Sequence, residues 1–305
     1  MIISASRRTD IPACFSEWFC NRVREGFCYV RSPYSQKITR VSLAREDVDV
    51  ILFWTKNAKP MMEKLSVIDA SSIPYYFQYT VTPYGSDVEP GLEKHRCIET
   101  FLELSGVLGR DRVLWRYDPI LITKKYTVEF HAAAFAQLCE IFSEVTCRCT
   151  ISFVDAYRAS PYRPCTFAEK ESLAELFSVT AKRFGLTLVS CAEEIDLHRF
   201  GIGHASCVDK EVCDHLSKRS LPVKRDRRQR TACGCVESVD VGAYGTCKNG
   251  CRYCYARGSR DAAAHDPASP LIVGWPTEEE RTLRCTSGQV TLSSERSSQI
   301  YHPGT

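Results

Sequence analysis

Short apolar runs alternate with longer amphipathic stretches over the first two-thirds of the chain. The period-2 and continuous apolar runs predict strands at Ile2–Ser6, Val48–Phe53, Tyr75–Thr82, Arg112–Tyr117, Thr150–Val154 and Leu186–Ser190. Between them, spacing near 3.6 predicts helices at about Pro12–Glu25, Met61–Ile68, Gly91–Leu108, Thr127–Val145, Phe167–Phe184 and Asp209–Lys218. Repeated strand-then-helix units imply parallel strands joined by right-handed crossovers. About six such units point to an α/β fold with a whole or partial (βα) barrel of TIM type. An open doubly wound sheet is the alternative.

Each predicted strand runs into a polar cluster: Ser6-Arg7-Arg8-Thr9-Asp10, Trp54-Thr55-Lys56-Asn57, Thr80-Val81-Thr82, Arg116-Tyr117-Asp118, Asp155 and Cys191-Ala192-Glu193-Glu194. In a barrel those ends share one rim, which is where such folds place their chemistry. The pattern divides the chain into a core at 1–216, a basic and Cys-rich segment at 217–256 packed on the barrel and completing it, and a tail at 257–305. The tail is rich in Ser, Ala, Pro and Gly and is expected to be largely irregular.

Composition narrows the class. The chain has 305 residues and a formal charge of +3, which names neither a nucleic-acid nor a membrane partner. No run of 18 apolar residues occurs, and MIISASRRTD has no apolar signal region, so a cytoplasmic location without a membrane is expected. The basic run Lys218–Arg230 reads first as a solvated loop and second as a grip for anionic groups.

Cysteine is the anomaly, with 17 residues. The number is odd, so complete disulfide pairing is excluded, and a reducing compartment keeps thiols free. Cys20, Cys28, Cys97, Cys139 and Cys213 read as core residues in or beside helices, and Cys14, Cys147, Cys149, Cys165 and Cys285 have no partner spacing. Cys247, Cys251 and Cys254 are different. Their C-x3-C-x2-C spacing, with Gly250 available for a positive-φ turn, lets one loop fold three thiolates around an inorganic centre. Closed zinc sites want four ligands. Three thiolates on a cubane leave one iron open to an outside molecule.

The stretch Cys247-Lys248-Asn249-Gly250-Cys251-Arg252-Tyr253-Cys254 resembles the cluster motif of radical S-adenosylmethionine enzymes, including the aromatic Tyr253 before the last cysteine. The segments Ile51–Asn57, Tyr79–Thr82 with Glu89-Pro90, and Arg116–Ile120 resemble barrel strands of the spore photoproduct lyase group. The whole chain is similar to a bacterial family described only as a domain of unknown function. The resemblance implies a [4Fe-4S] cluster on Cys247, Cys251 and Cys254, with Tyr253 near the adenine of S-adenosylmethionine. It also implies Lys56 near the carboxylate of that cofactor, and Thr80 and Arg116 as further contacts. A small-molecule or peptide substrate and a reductant such as flavodoxin or ferredoxin follow from it, and the catalytic residues stay unassigned. In the superfamily the motif follows the first strand, whereas here it comes last. Glu237–Val241 is therefore the candidate displaced first strand, beside Ile2–Ser6.

Cys233 and Cys235 form a C-x-C pair, Cys191 ends a strand, and Cys207 lies in the loop after it. Together they are candidates for an auxiliary iron–sulfur cluster or a zinc site, with His198 and His204 as outside candidates. Glu193 and Glu194 are candidate acid/base groups. Two other function classes stay open: a non-catalytic zinc or iron–sulfur structural protein, and a nucleic-acid lesion repair lyase, which the small net charge disfavours.

Overall fold

In the computed structural model, residues 1–155, 160–258 and 264–281 are described. Cys285 and most of the tail lie outside them. The frame is one sheet of eight strands in the order β10-β1-β4-β5-β6-β7-β8-β9. The strands are β1 (Ile2–Ala5), β4 (Val50–Thr55), β5 (Tyr75–Thr80), β6 (Val113–Ile120), β7 (Arg148–Phe153), β8 (Thr187–Cys191), β9 (Gly203–Ala205) and β10 (Val239–Asp240). Every ladder in this sheet is parallel. The fold is thus α/β, and among the described residues no ladder joins β9 to β10. The order never reverses, unlike that of a doubly wound sheet.

The strand expected within Glu237–Val241 beside Ile2–Ser6 is present over two residues: Val239 pairs with Ile3 and Asp240 with Ser4. The expected helix at Pro12–Glu25 is two, α1 (Ile11–Cys14) and α2 (Ser16–Glu25), because Phe15 at φ −140° leaves the helical region between them. The next expected helix also divides, into α3 (Lys59–Met62) and α4 (Leu65–Ala70). The longer helices are α5 (Lys94–Leu108), α6 (Val128–Phe142) and α7 (Phe167–Arg183); α8 (Lys210–Ser217) is shorter.

Their buried positions follow the helical period. On α6 these are His131, Phe135, Leu138, Cys139 and Phe142, and on α7 Leu173, Ala174, Phe177 and Ala181. Thr127 caps α6, and Thr166 with Glu169 forms a capping box on α7. These helices cover one face of the sheet, where Phe53, Phe77, Trp115, Tyr117 and Phe153 pack against Phe19, Phe101, Phe135, Phe142 and Phe177. Phe135 and Phe177 stack with centroids 3.9 Å apart.

Three features escaped the periodicity. The antiparallel hairpin of β2 (Phe27–Arg31) and β3 (Ile38–Ser42) stands outside the main sheet and contains Cys28, which is a strand residue and not a helical one. Edge strand β9 has only three residues. Within the tail, residues 264–275 are irregular but packed: Trp18 Nε1 donates to Ser269 O at 2.9 Å, Tyr29 N donates to Pro270 O at 2.8 Å, and Leu271 and Ile272 are buried. A one-turn helix, α9 (Glu278–Arg281), follows. No helix among the described residues is long and apolar enough to cross a membrane.

Candidate functional site

The face of the sheet away from the long helices changes character along the strands. At the amino-terminal ends it is apolar, with Ile2, Val50, Leu52, Tyr76 and Leu114. Further along, register aligns Ser4 with Leu52, Trp54 with Gln78, Thr80 with Arg116, and Arg116 with Thr150. Polar strand ends therefore converge at the carboxyl edge. Trp54 is central: its Nε1 donates to Ser4 Oγ at 3.0 Å, and the guanidinium groups of Arg7 and Arg116 each lie 5.4 Å from its ring centroid. Such cation–π contacts suit partly desolvated arginines. Ser6 Oγ, Ser4 Oγ and Arg7 N all donate to the Asp240 carboxylate, which fixes β10 to β1.

The loop after β10 carries Cys247, Cys251 and Cys254 to this edge. Asn249 Nδ2 donates to Asp10 Oδ2 at 2.8 Å, and Lys56 N donates to the same oxygen at 2.8 Å. Gly91 N donates to Asn249 O at 3.1 Å, and a Cβ at Gly91 would meet that carbonyl oxygen at 2.6 Å. Gly91 is thus required by the close approach of two backbones. Gly250 takes φ +69°, as the sequence anticipates for this turn. Cys251 and Cys254 are close enough to Cys247 for their charges to interact: burial pushes both thiols up, and the neighbouring thiols push further.

Cys14, which has no partner spacing in the sequence, shares a hydrogen bond with Cys247. That bond raises Cys14 and lowers Cys247, so Cys247 is the easier of the pair to ionise. Only the tertiary fold brings this fourth thiol to the motif, since Cys14 ends α1 and Cys247 lies more than two hundred residues further on.

Beneath the loop, Glu89 is fully buried and held on all sides. Thr82 Oγ1 donates at 3.0 Å to both its oxygens, Tyr253 OH donates to Oε1, Lys94 Nζ contacts Oε2, and Lys56 Nζ pairs with Oε1 at 3.0 Å. Four donors fill the acceptor capacity of one carboxylate. Burial and the adjacent Lys56 cation draw Lys94 down to about 7, while contact with Glu89 acts in the opposite sense. Lys56 Nζ is buried and, beyond the ion pair, makes no well-aligned hydrogen bond. Its pKa is lowered by burial, against the pull of Cys251, Asp118 and Asp10.

The second cysteine set also converges. Cys191 Sγ and Cys207 Sγ are 2.8 Å apart, and Cys233 and Cys235 are buried in the same cluster. Arg116 Nη1 donates to Cys207 Sγ at 2.6 Å and Nη2 pairs with Asp118. Burial opposes the Arg116 cation, but Cys207 and Asp118 outweigh it and hold the pKa well above the usual arginine value. Tyr76 OH and Gln78 Nε2 donate to Cys207 O at 3.1 and 3.0 Å, so this loop plugs the centre of the face.

Other expected residues do different work. Thr80 stands beside Arg116 in register. Glu193 accepts from Phe153 N and pairs with Lys170, each at 2.8 Å, so it ties β7 to α7; Glu194 is exposed. His198 and His204 are exposed and face each other at 5.6 Å, with His198 bonded to Asp196. The basic run lies at the surface and makes local pairs: Arg219 pairs with Asp49, Arg225 donates to the carbonyls of Thr231 and Cys233, Arg228 pairs with Asp226, and Arg230 pairs with Asp155, while Arg219, Arg225, Arg227 and Arg228 stay exposed. Glu89 and Cys14 are the residues that sequence reasoning missed. Their only signals were a polar residue before Pro90 and a thiol shortly after the first polar strand end.

Among the described residues, no group of three or more His, Cys, Asp or Glu side chains is already set out to hold a metal ion. The described cysteines are all free thiols.

No curated protein matches the chain. Among solved structures, a crystal structure described as a "putative alpha-L-fucosidase" from Bacteroides thetaiotaomicron is similar at 11% identity, covering 56% of this chain and 78% of that one. Its TM-score of 0.22 carries no argument about fold or activity. The model of the family described as Domain of unknown function (DUF1848) matches residues 2–256, most of the chain, and the protein belongs to that family.

Proposed function

We propose that the protein is a radical S-adenosylmethionine enzyme working on a partial (βα) barrel whose displaced first strand is β10. The observation that carries this reading is the placement of Cys247, Cys251 and Cys254 on one loop at the carboxyl edge of a parallel sheet, directly after the strand that pairs with β1. The donor set fits the group: three soft thiols on one loop lie beside a buried lysine with unused hydrogen-bonding capacity. Cys247, Cys251 and Cys254 would hold a [4Fe-4S] cluster, and S-adenosylmethionine bound there would supply, on one-electron reduction, a 5′-deoxyadenosyl radical for hydrogen abstraction.

The chain's own residues divide the remaining work. Lys56 offers its buried ammonium to an anionic group such as the carboxylate of an amino acid. Glu89 is a positioning residue, because its acceptors are already filled and it fixes Lys56, Lys94 and Tyr253 beside the thiols. Arg116, Asp118 and Trp54 lie at the same carboxyl edge and would orient a polar substrate. The alternative of a structural metal site with four ligands has one specific observation behind it, the contact of Cys14 with Cys247.

The test is anaerobic reconstitution followed by reduction with S-adenosylmethionine, with absorption and EPR spectra recorded alongside product analysis. Expected are 5′-deoxyadenosine and a cluster spectrum that changes when S-adenosylmethionine is added. Both are lost in Cys251→Ala and kept in Cys14→Ala. A cluster that is indifferent to S-adenosylmethionine and depends on Cys14 would overturn the reading.

A further inference from the structure

Three separate stretches deliver the other thiols to one spot: Cys191 from the end of β8, Cys207 from the loop after β9, and Cys233 with Cys235 from the turn that follows the basic run. We propose that Cys191, Cys207, Cys233 and Cys235 form a closed site for one soft divalent metal ion, zinc, separate from the C-x3-C-x2-C loop. The site pins the plugging loops onto the sheet.

The arrangement separates these four from the other buried cysteines. They belong to one buried cluster, in which Cys191 Sγ and Cys207 Sγ lie 2.8 Å apart and Val208 N, the residue after Cys207, donates to Cys235 Sγ at 3.3 Å. All four are nearly inaccessible, at 8, 3, 6 and 2% exposure for Cys191, Cys207, Cys233 and Cys235. Four thiolates without an open position are the ligand set of a structural zinc site, whereas a catalytic site keeps one position for water.

Size selects a single ion. Zinc–sulfur bonds of about 2.3 Å in a tetrahedron put the sulfurs roughly 3.7 Å apart. Cys191 and Cys207 would part by about an ångström to receive the ion. A cubane would require a much larger separation in a spot closed by Tyr76, Gln78 and Val208.

The surroundings are those of an anion. Arg116 Nη1 and Val208 N both donate to sulfur, at 2.6 Å to Cys207 and 3.3 Å to Cys235. The guanidinium of Arg7 is attracted by Cys235 and Cys207, yet its Nη2 is buried with no hydrogen-bond partner among the described residues. A guanidinium is costly to bury beside neutral thiols. Four thiolates on a divalent cation carry a net charge of −2, which gives the Arg7 guanidinium a second anionic neighbour besides Asp240 and lets Arg116 serve two anions, the centre and Asp118. Binding is balanced in charge and protons: four thiol protons leave to solvent as four metal–sulfur bonds form, with no change of oxidation state.

The test uses the full chain purified anaerobically without added chelator. Elemental analysis should find about one zinc per chain, retained in Cys251→Ala and in the buried-cysteine control Cys139→Ser, and absent from Cys207→Ser and Cys235→Ser. Arg116→Gln should keep the fold and weaken zinc retention against a chelator by ~10-fold or more. Cobalt(II) exchange into the unmutated protein reads the same site without relying on a variant that folds, through thiolate-to-cobalt charge transfer and tetrahedral ligand-field bands. Three results would overturn the proposal: no zinc or cobalt bound by the unmutated chain, iron with sulfide retained in Cys251→Ala, or a Cys191–Cys207 disulfide in the anaerobic protein. Because Cys251→Ala removes the C-x3-C-x2-C loop from the measurement, failure of the zinc site and failure of the radical-enzyme reading give different patterns.

Discussion

On the helix side of the sheet, Phe53, Phe77, Trp115, Phe135, Phe142 and Phe177 stack edge and face on one another. On the opposite side the same strands carry Ser4, Trp54, Gln78, Arg116 and Asp118, and they are covered by cysteine-bearing loops and the short helix α8. A strand points successive side chains to opposite faces. One sheet therefore holds two environments only a backbone apart. The first is stabilised by area and ring geometry, each aromatic pair adding about 0.5–1.5 kcal/mol beyond its burial. The second is a polar and sulfur-rich interior whose groups must be paired, because an unpaired buried charge is costly. Stability belongs to the first face and the proposed chemistry to the second, so substitutions should separate along the same line.

The largest separation is expected at the motif loop. Cys251→Ala should abolish reconstituted cluster absorbance while far-ultraviolet circular dichroism and the melting temperature stay near those of the parent. Loss of secondary structure on that substitution would show that the two faces are not independent. The reverse experiment is Phe177→Ala, which removes a ring stacked on Phe135 and should cost about 3–5 kcal/mol in urea unfolding. Its metal content per folded molecule should be unchanged.

His131 sharpens the contrast through pH. Its Nε2 donates to Leu121 O at 2.9 Å and its Nδ1 accepts from Tyr117 OH at 2.7 Å, an arrangement for the neutral ring. Burial pushes its pKa down to about 4 from the ordinary 6.5. The folded state then binds fewer protons than the unfolded one between those values. Its contribution is complete above pH 6.5 and declines as pH falls toward 4, by roughly 3 kcal/mol in total. Urea titrations across that window should show the slope, and His131→Gln should flatten it. The smallest effect is expected at Thr166→Ala, which removes the capping box of α7 and should cost about 1 kcal/mol without touching either thiol set. A change in metal content there would break the division between the faces.

How far the sequence carried is clearest in particular elements. The long helices and central strands were readable because their periodicity is local: Leu173, Phe177 and Ala181 mark one face of α7 whatever lies opposite. Strand β10 was readable as Val239-Asp240-Val241 from its place before the motif, although it pairs over only two residues. The hairpin of β2 and β3 was not readable, because its packing partner is the segment near Pro270, far along the chain. In the site, spacing singled out Cys247, Cys251 and Cys254, and strand position singled out Cys191. Glu89 has no sequence signal equal to its role, since its meaning comes from Lys56, Lys94, Thr82 and Tyr253 closing around it.

The sequence by itself determined the parallel α/β frame, the polar strand ends and the local thiol motif, because each depends on residues within a turn or a strand of one another. The tertiary structure alone decided that Cys14 meets Cys247, that four cysteines from three stretches gather in one buried cluster, and that acidic partners for Arg219, Arg228 and Arg230 lie where they do. Those outcomes depend on which distant segments the sheet order brings to one edge, and side-chain periodicity does not encode that order.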